Sequence, residues 1–460
     1  MELTIEEIIK ATGGKLLGGN AQIVIRSIGT DTRKLKNGDL YVALKGPRFD
    51  GHDFIREAIS KGACGVVVSR SVEASANKSR RTPLPVIHVP DTQRALGDIA
   101  KCWRGQFDIP VVAITGSSGK TTTKDLIAAV LNRKGKVLKT EGNLNNLIGL
   151  PLTVFGLTDV DRYAVLEMGM NAFGEIARLT EIARPSHGLI TNIGHAHLEG
   201  VGDLAGVARA KGELFEGLNV FAVAVINADD PNIAKLSTRA KKITFGCQKP
   251  ADIHADEVEY NGEKMRVTVT DPKQTTIFTL PMVGEHHVLN WLAAYAVGFE
   301  LGISPKEAQD ALDTFRPAKM RGEEIELKND ITVINDAYNA NPDSMSAALH
   351  ALFKRYPERR RVAVLGEMWE LGREASCLHR SAGIAASEAQ IDLLLAFGEH
   401  APEMVDGFSG KGKDGYSFSD IEGLNRKLTA VLKKGDVVLV KGSRGSQMER
   451  VVEFLKKEFL

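Results

Sequence analysis

A buried strand, a glycine turn and a helix follow one another between Val111 and Leu131. The apolar run Val111–Ile114 has the length and composition of a strand buried on both faces. After the turn, four apolar residues recur at helical spacing: Leu126, Ile127, Val130 and Leu131. Strands that alternate with helices in this way are typical of a parallel α/β sheet, so the sequence predicts that fold class here.

The turn itself, TGSSGKTTT, carries the residue types that bind a polyphosphate. Gly116 and Gly119 let backbone N–H groups approach phosphate oxygens, and the helix N-terminus adds partial positive charge. Lys120 can reach the β- and γ-phosphates, and Thr121 can offer a hydroxyl to Mg²⁺. The motif is a shortened one, because Ile114 stands where the first glycine of the usual form would fall.

We therefore expect this loop to bind a nucleoside triphosphate. The alternative is a Gly/Ser-rich turn that merely precedes a helix. The residues expected to contact the nucleotide are Gly116, Ser117, Ser118, Gly119, Lys120, Thr121 and Thr122.

Composition limits the number of domains and the class of partner. A chain of 460 residues is too long for one ordinary core and predicts two or three domains. Because 59 Lys and Arg residues balance 58 Asp and Glu residues, nothing favours a nucleic acid or an anionic membrane as partner, and we expect small molecules instead.

Cysteine usage and the amino terminus predict a soluble, cytoplasmic protein. Four scattered cysteines without a CxxC pair argue against a disulfide framework and a thiolate zinc site: Cys64, Cys102, Cys247 and Cys377. The first residues, MELTIEEII, lack the basic flank and the long apolar core of a signal peptide. No apolar run approaches transmembrane length.

Strand and turn patterns divide the chain into three predicted domains. Residues 1–85 form a small α/β domain that ends in a polar linker, Ser71–Pro85. Residues 86–316 contain the phosphate loop, and residues 317–460 form a Rossmann-like domain that lacks a G-x-G-x-x-G motif. The predicted strands are Gln22–Ile28, Asp39–Leu44, Gly65–Val68, Val111–Ile114, Tyr163–Leu166, Leu189–Ile193, Val220–Ile226, Thr332–Ile334, Arg361–Leu365, Asp392–Phe397 and Asp436–Val440.

Two later strands of the central domain lead into groups that bind metals. Glu167 follows an apolar strand, and the phosphate loop before it favours a Mg²⁺ role over that of a solvated carboxylate. The next strand leads into His195 and His197, where the same sheet presents its ligands. A surface or hydrogen-bonded role is favoured for His195, whereas metal coordination is favoured for His197.

Two polar loops are candidates for substrate contact. Asn143, Asn145 and Asn146 offer amide donors and acceptors for sugar or peptide groups, unless they only form an Asx turn. The third-domain segment Asp336–Met345, DAYNANPDSM, also follows a strand, so this domain is expected to bring a loop to the ligand. The alternative role of its Asn-Pro-Asp sequence is to begin a helix.

Together these residues resemble the ATP-dependent Mur ligases of peptidoglycan synthesis over nearly the whole chain. The shared segments are DTR at Asp31–Arg33 through YVALKGPRFDGHDF, TGSSGKTTTK, EGNLNNLIGLPLT, LEMGMNAFGEIARLT, AHLEG, ARAKGE, NDAYNANPDSM, LGEMWELG and KGSRGS. The resemblance implies a UDP-sugar-binding first domain, a central ATPase domain and a Rossmann-like domain that closes over the site.

The resemblance also implies roles for single residues. The catalytic residues would be Lys120, Lys211, His197 and Arg321. The ligands of two Mg²⁺ ions would be Thr121, Glu167, His197 and Lys211. Lys211 is an ordinary helical lysine by itself, but its family counterpart is carbamylated in several members and then provides the oxygen atoms that Mg²⁺ prefers.

The nucleotide and substrate contacts are implied in the same way. Asn290 and Asp336 would approach adenine and ribose, and Arg321 the γ-phosphate. His286-His287 stands where many relatives have His-Asn, which leaves an adenine contact at position 287 open. The expected substrate-binding residues are Asp31, Thr32, Arg33, Lys45, Asp50 and His52 for the uridine nucleotide, Asn143, Asn145 and Asn146 for the peptidyl sugar, and Tyr338, Asn339 and Asn341 from the third domain.

The implied activity is that of a monomeric amide ligase. It would add D-alanyl-D-alanine to UDP-N-acetylmuramoyl-tripeptide through an acyl phosphate, with release of ADP and phosphate. NANPDSM replaces the Asn/Asp-Pro-Arg signature of the tripeptide-forming relatives, which favours this dipeptide-adding activity. The alternatives are such a relative, a folylpolyglutamate synthase, which lacks a domain like residues 1–85, and a nucleotide-switched binding protein, which leaves AHLEG and Lys211 unexplained.

Overall fold

Three main sheets, one for each domain, organise the computed structural model. It describes residues 1–70, 83–261, 264–408 and 414–460. We call the units around these sheets the first, central and third domains. Each combines helices with a mostly parallel sheet, so the three-domain α/β architecture predicted from the sequence is confirmed.

The first domain is built around a short five-stranded sheet. Its elements are β1 (Leu3–Thr4), α1 (Ile5–Thr12), β2 (Lys15–Gly18), β3 (Val24–Ile25), β4 (Ile28–Gly29), β5 (Leu40–Val42), α2 (Ile55–Ser60), β6 (Gly65–Val68), β7 (Val86–His88) and α3 (Thr92–Arg104). The strand order is β2-β7-β6-β5-β4, and a separate antiparallel pair joins β1 to β3. The predicted strand Gln22–Ile28 is therefore wrong as one element, because β3 and β4 pair in different sheets.

The sheet of the first domain extends past the predicted boundary at residue 85. Strand β7 pairs with β6 in parallel and with β2 in antiparallel orientation, so this sheet runs to His88. Most of the predicted linker Ser71–Pro85 lies outside the described residues.

The central domain contains the phosphate loop and the largest sheet. Its elements are β8 (Val111–Thr115), α4 (Lys120–Leu131), β9 (Val137–Lys139), α5 (Gly149–Val154), β10 (Tyr163–Glu167), α6 (Glu175–Ala183), β11 (His187–Ile190), α7 (Leu198–Val201), α8 (Leu204–Glu216), β12 (Val223–Asn227), α9 (Pro231–Ala234), β13 (Lys241–Gly246), β14 (Ile253–Asn261), β15 (Lys264–Thr270), β16 (Thr275–Leu280), α10 (Glu285–Glu300) and α11 (Pro305–Thr314). The strand order is β16-β15-β14-β13-β12-β11-β8-β10-β9.

The central sheet is mixed, whereas the sequence pattern predicts a parallel one. Its pairs from β9 to β14 are parallel, but β14, β15 and β16 form an antiparallel meander. The connections within the meander are too short for a crossover helix, which parallel pairing would need. Buried and more exposed residues alternate along β15, as expected where only one face of a sheet is covered.

The third domain has a six-stranded sheet with one antiparallel edge. Its elements are β17 (Glu323–Leu327), β18 (Ile331–Asp336), α12 (Pro342–Arg355), β19 (Arg361–Gly366), α13 (Ala375–Glu388), β20 (Leu393–Phe397), α14 (Ala401–Phe408), β21 (Asp414–Phe418), α15 (Ile421–Val431), β22 (Val437–Lys441) and α16 (Glu449–Phe459). The strand order is β17-β18-β22-β19-β20-β21, and only β17 runs antiparallel to its neighbour. Within the described parts of the chain, no helix is both long enough and apolar enough to cross a membrane.

Candidate active site

The phosphate loop joins the carboxyl end of β8 to the start of α4. Gly119 precedes the helix with φ at 77°, a left-handed conformation that favours glycine. A Cβ atom at Gly116 would lie 1.9 Å from the hydroxyl of Thr191, so this close approach also requires glycine. The predicted strand, turn and helix are confirmed. The first N–H groups of α4 have no intrahelical partner, which suits them to an anion.

Asn192 braces the phosphate loop from the neighbouring chain segment. Its backbone carbonyl accepts a hydrogen bond from Ser117 N (3.0 Å), and its Oδ1 accepts one from Ser118 N (2.9 Å). These two amides, which the sequence assigns to the nucleotide, are thus already engaged within the protein. The predicted strand Leu189–Ile193 is also shorter, because the chain leaves the sheet after Ile190 to make these contacts.

Lys120 folds back onto the loop that precedes it. Its Nζ donates a 2.5 Å hydrogen bond to the carbonyl of Gly116. Burial lowers the pKa of Lys120, the carboxylate of Glu167 opposes this effect, and the guanidinium of Arg321 adds to it. A phosphate beside this ammonium would provide the negative charge that favours its protonated form.

Glu167 ends β10 as a buried carboxylate with two side-chain partners. Thr121 Oγ1 donates to its Oε2, and Asn145 Nδ2 donates to its Oε1, both at 2.9 Å. A hydroxyl and a carboxylate that lie side by side next to a phosphate loop are oxygen ligands of the kind that Mg²⁺ prefers. Thr121 and Glu167 therefore fit a Mg²⁺ site.

His197 meets an acidic residue of the third domain. It has a left-handed backbone with φ at 59°, and its Nδ1 lies 2.6 Å from Oε2 of Glu370. The contact is short, but the N–H direction is not aligned for a hydrogen bond. Burial lowers the pKa of His197 although Glu370 opposes this shift, so the ring favours the neutral form that binds metals.

Lys211 lies deep in α8 and does not line the cavity. Its side chain is almost fully buried, with 1% of the residue exposed, and no hydrogen bond or ion pair joins this side chain to another described residue. Burial, reinforced by Lys120, lowers its pKa well below the usual value. An unmodified lysine does not fit a Mg²⁺ site, whereas its carbamate would.

The third domain forms the opposite wall of the site. Asp336, at the end of β18, pairs with Nζ of Lys441 at 2.6 Å, and the same Nζ donates to the carbonyl of Asn339 at 3.0 Å. The guanidinium of Arg321 lies over the ring of Tyr338 at 4.1 Å. These contacts hold the segment after β18 and fix the direction from which Arg321 approaches the cavity.

Asn341 caps α12 and contacts the phosphate loop at the same time. Its Oδ1 accepts a hydrogen bond from Ser344 N at 2.8 Å, while its Nδ2 donates to the carbonyl of Ser117 at 3.2 Å. The helix-start role of the Asn-Pro-Asp sequence is therefore confirmed, and the loop is also brought to the site as expected.

The phosphate loop and the third-domain wall enclose a cavity of about 1090 Å³. This volume exceeds roughly 300–1,000 Å³, the usual range for the pocket of one ligand, so more than one substrate can be accommodated. The predicted residues in its wall are Ser117, Ser118, Gly119, Lys120, Thr121, Thr122, Asn143, Asn145, Asn146, Glu167, His197, Asn290, Arg321, Asp336, Tyr338, Asn339 and Asn341.

The six predicted residues of the first domain lie outside this wall. Asp31 and Arg33 form an ion pair at 2.8 Å, which lowers the pKa of Asp31 to about 2. His52 is buried between Asp50, whose Oδ1 lies 2.6 Å from its Nδ1, and Ser69 N, which donates to its Nε2. The two remaining residues are Thr32, which is buried, and Lys45, which forms a β-bridge with Asp50.

Asn146, in the cavity wall, uses its side-chain oxygen within its own loop. Asn146 Oδ1 accepts hydrogen bonds from Ile148 N and Gly149 N, so the Asx-turn alternative holds for this oxygen.

The rings of His286 and His287 lie 4.0 Å apart in the wall. Burial lowers the pKa of His286 to about 4 and that of His287 well below its usual value, so both rings are neutral.

A second group of candidate metal ligands lies in the third domain, away from this cavity: Glu367, His379 and His400. His379 Nε2 accepts a hydrogen bond from Met368 N at 2.9 Å, and its Nδ1 lies 2.6 Å from the carbonyl of Ala375. Because the backbone occupies both ring nitrogens of His379, we interpret this group as structural.

Family models match all three domains of the chain. The model described as the Mur ligase family catalytic domain matches residues 24–104, the Mur ligase middle domain matches residues 114–298, and the Mur ligase glutamate ligase domain matches residues 320–444. The UDP-N-acetylmuramoyl-tripeptide--D-alanyl-D-alanine ligase of Escherichia coli (strain K12) is 37% identical over 463 residues, which cover 99% of each chain.

Solved structures of similar proteins also match this chain over nearly its full length. A crystal structure of MurF from Acinetobacter baumannii matches with a TM-score of 0.91 at 32% identity and covers 99% of each chain. The structure of MurF ligase from Thermotoga maritima in complex with ADP matches with a TM-score of 0.84 at 30% identity and covers 94% of this chain and 98% of its own. With these matches and the cavity that joins its central and third domains, the chain belongs to the Mur ligase family.

Proposed function

We propose that the chain is an ATP-dependent ligase that joins D-alanyl-D-alanine to the terminal carboxylate of UDP-N-acetylmuramoyl-tripeptide. The observation that carries the proposal is the cavity where the phosphate loop meets the third-domain segment that follows β18. Full-length similarity to a ligase named for this reaction supports the choice of substrates. The ADP in a similar structure supports the choice of nucleotide.

Amide formation from a carboxylate needs activation, because a carboxylate is a poor electrophile. In the first proposed step, a carboxylate oxygen of the tripeptide attacks the γ-phosphorus of ATP, the bond from that phosphorus to the bridging oxygen breaks, and ADP leaves. In the second step, the amine of D-alanyl-D-alanine attacks the carbonyl carbon of the acyl phosphate. Inorganic phosphate leaves, and the nitrogen loses a proton to solvent.

The residues of the cavity would act mainly by positioning and by neutralising charge. Lys120 from the central domain and Arg321 from the third domain would offset the negative charge that gathers between the γ-phosphate and the carboxylate. Stacking on Tyr338 restricts the Arg321 guanidinium in advance. Because the two cations come from different domains, catalysis would need both domains in contact.

The proposed metal ligands fall into two groups. Thr121 and Glu167 would hold one Mg²⁺, and His197 with a carbamylated Lys211 would hold a second. When bound, the ions would neutralise phosphate charge. The hydrogen bond from Asn145 would keep Glu167 oriented for this task.

The remaining assignments concern the substrates. Asn290 and Asp336 would contact adenine and ribose, while Tyr338, Asn339 and Asn341 would contact substrate from the third domain. Asn143, Asn145 and Asn146 would contact the peptidyl sugar, and the predicted first-domain residues would bind the uridine nucleotide at a distance from the reacting carboxylate. We further propose that the ligase works as a monomer in the cytoplasm.

The test is ADP and phosphate release with Mg²⁺-ATP and UDP-N-acetylmuramoyl-tripeptide, followed by mass spectrometry of the product. D-alanyl-D-alanine is compared with single amino acids as acceptor. Turnover and a mass gain that depend on the dipeptide support the proposal. Turnover with one diamino acid on a dipeptide substrate would assign the tripeptide-forming activity instead, and ATP hydrolysis independent of any acceptor would overturn ligation.

A further inference from the structure

The loop that carries His195 and His197 is held by the third domain. This histidine loop, residues 194–199, follows β11 and ends in the first residues of α7. It also bonds to the phosphate loop, because Gly194 N donates to Ser117 Oγ at 2.9 Å and Ser117 Oγ donates to the Gly194 carbonyl at 3.0 Å. Any group that moves the histidine loop therefore also acts on the phosphate loop.

Asp343 holds the beginning of the histidine loop. It lies in the first turn of α12, and its Oδ2 accepts a 2.7 Å hydrogen bond from His195 N. The same oxygen lies 3.6 Å from Nδ1 of His195. A Cβ atom at Gly194 would lie only 2.1 Å from this oxygen, so the approach depends on a glycine in the loop.

Glu370 holds the other end of the histidine loop by two contacts. Its carboxylate lies 2.6 Å from Nδ1 of His197, and its backbone carbonyl accepts a 3.2 Å hydrogen bond from Glu199 N. Glu370 has a left-handed backbone with φ at 65°, uncommon for a non-glycine residue. Its conformation thus turns both the carbonyl and the carboxylate toward the central domain.

We propose that Asp343 and Glu370 form an interdomain clasp that positions His197, so that metal binding at His197 and docking of the third domain depend on each other. The inference rests on the proposed function, because it takes His197 as a metal ligand. Neither residue is assigned a chemical step. Both act through the histidine loop and are positioning residues.

The physical basis is the support that metal-binding histidines receive from a partner at their second nitrogen. The Glu370 carboxylate beside Nδ1, at 2.6 Å but without an aligned hydrogen bond, restrains the ring by charge and contact and leaves Nε2 for the metal. Loss of a partner at this nitrogen typically weakens metal binding about 10- to 100-fold. Here the partner belongs to another domain. If docking strengthens metal binding by some factor, metal binding must strengthen docking by the same factor.

The test measures Mn²⁺ binding by electron paramagnetic resonance in the presence of ADP, with Mn²⁺ as a spectroscopic substitute for Mg²⁺. Glu370→Ala is expected to weaken Mn²⁺ binding about 10-fold or more, and Glu370→Gln, which keeps an oxygen near Nδ1, should recover part of the loss. The matched control is Glu358→Gln, an exposed carboxylate of the same domain. Metal-free binding of ADP should be unchanged in all three variants.

The Asp343 half of the clasp is tested by a double-mutant cycle. Asp343→Ala and Gly194→Ala each break the same contact, from opposite sides, so their effects on Mn²⁺ binding should not add in the double variant. Additive effects would show that Asp343 does not act through the loop.

Domain docking provides the reciprocal readout. Mn²⁺ with ADP should reduce the radius of gyration of the wild-type protein in small-angle scattering and should do so less in Glu370→Ala. Wild-type Mn²⁺ affinity and compaction in Glu370→Ala would overturn the clasp. Failure of the clasp and failure of the proposed function can be told apart. The proposed function is tested by the product that the wild-type protein forms, and that measurement uses none of these variants.

Discussion

The side-chain amide of Asn341, in the third domain, donates a 3.2 Å hydrogen bond to the carbonyl of Ser117 in the phosphate loop, 224 positions earlier in the chain. The other end of the same amide caps α12. One side chain thus contributes both to the stability of a helix and to the contact between two domains, and a suitable substitution can separate these effects.

Asn341→Asp keeps the capping oxygen but removes the NH₂ donor and sets a carboxylate against the Ser117 carbonyl. We expect the melting temperature to stay near that of the wild type and kcat/KM for ATP to fall roughly 10-fold, the equivalent of one interdomain hydrogen bond. Asn341→Ala should show the same kinetic loss and also lose about 1 kcal/mol of unfolding free energy with the cap. Wild-type kinetics in Asn341→Asp would contradict a role for this bond.

Gly119→Ala should abolish tight nucleotide binding. The substitution combines a left-handed φ of 77° with a Cβ atom 2.5 Å from Oδ1 of Asn290, the buried amide that packs on the phosphate loop. Gly302→Ala is a matched control, because Gly302 has φ at 76° and no atom within 4 Å of the added Cβ. Both variants should lose about 1 kcal/mol of unfolding free energy through backbone strain, but only Gly119→Ala should weaken ADP binding in calorimetry. Equal ADP affinities would contradict this packing argument.

The sequence predicts well those parts of the site whose structure depends on residues that are close together in the chain. The run from Val111 to Thr123 contains its own strand, turn and helix start, and the structure has them where the pattern places them. Glu167 is also predictable, because a carboxylate after an apolar strand lies at the edge where a parallel sheet presents ligands.

The missed residues act through contacts between distant segments. Asn192 holds Ser118 across 74 positions, whereas the sequence pattern places it inside the predicted strand Leu189–Ile193. Glu370 lies in a motif shared with the family, but nothing in its neighbours shows that it faces His197.

The antiparallel meander from Ile253 to Leu280 is missed for another reason. Its strands alternate polar and apolar residues, and the pattern of alternating buried strands and helices does not include them.

His187 should reduce stability toward acid pH. This residue of β11 is buried, and burial lowers its pKa to about 4 from its ordinary value of 6.5. Above the unfolded-state pKa the histidine is neutral in both states and contributes no pH dependence. As pH falls from 6.5 toward 4, only the unfolded state takes up the proton, so the free energy of unfolding decreases, by about 2 kcal/mol near pH 5.

Urea unfolding of His187→Gln at about pH 7.5 and about pH 5 checks this expectation. The difference between the two pH values should be smaller in the variant than in the wild type by about 2 kcal/mol. His350→Gln, at an exposed position of α12, is the control and should keep the wild-type difference. An unchanged difference in His187→Gln would show that this ring is not the source of acid sensitivity.

Lys211 should react reversibly with carbon dioxide. Its buried side chain has no hydrogen-bond or ion-pair partner among the described residues, and burial lowers its pKa, which favours the neutral amine. The amine nitrogen can attack the carbon of CO₂ and release a proton, which gives a carbamate anion near the ammonium of Lys120. Protein equilibrated with ¹³C-bicarbonate should therefore show a carbamate signal in NMR, and Lys211→Ala should not.

Short carboxylic acids should restore part of the activity lost in Lys211→Ala by placing an anion in the vacated space. Full activity of this variant without added acid would rule out a catalytic role for the carbamate.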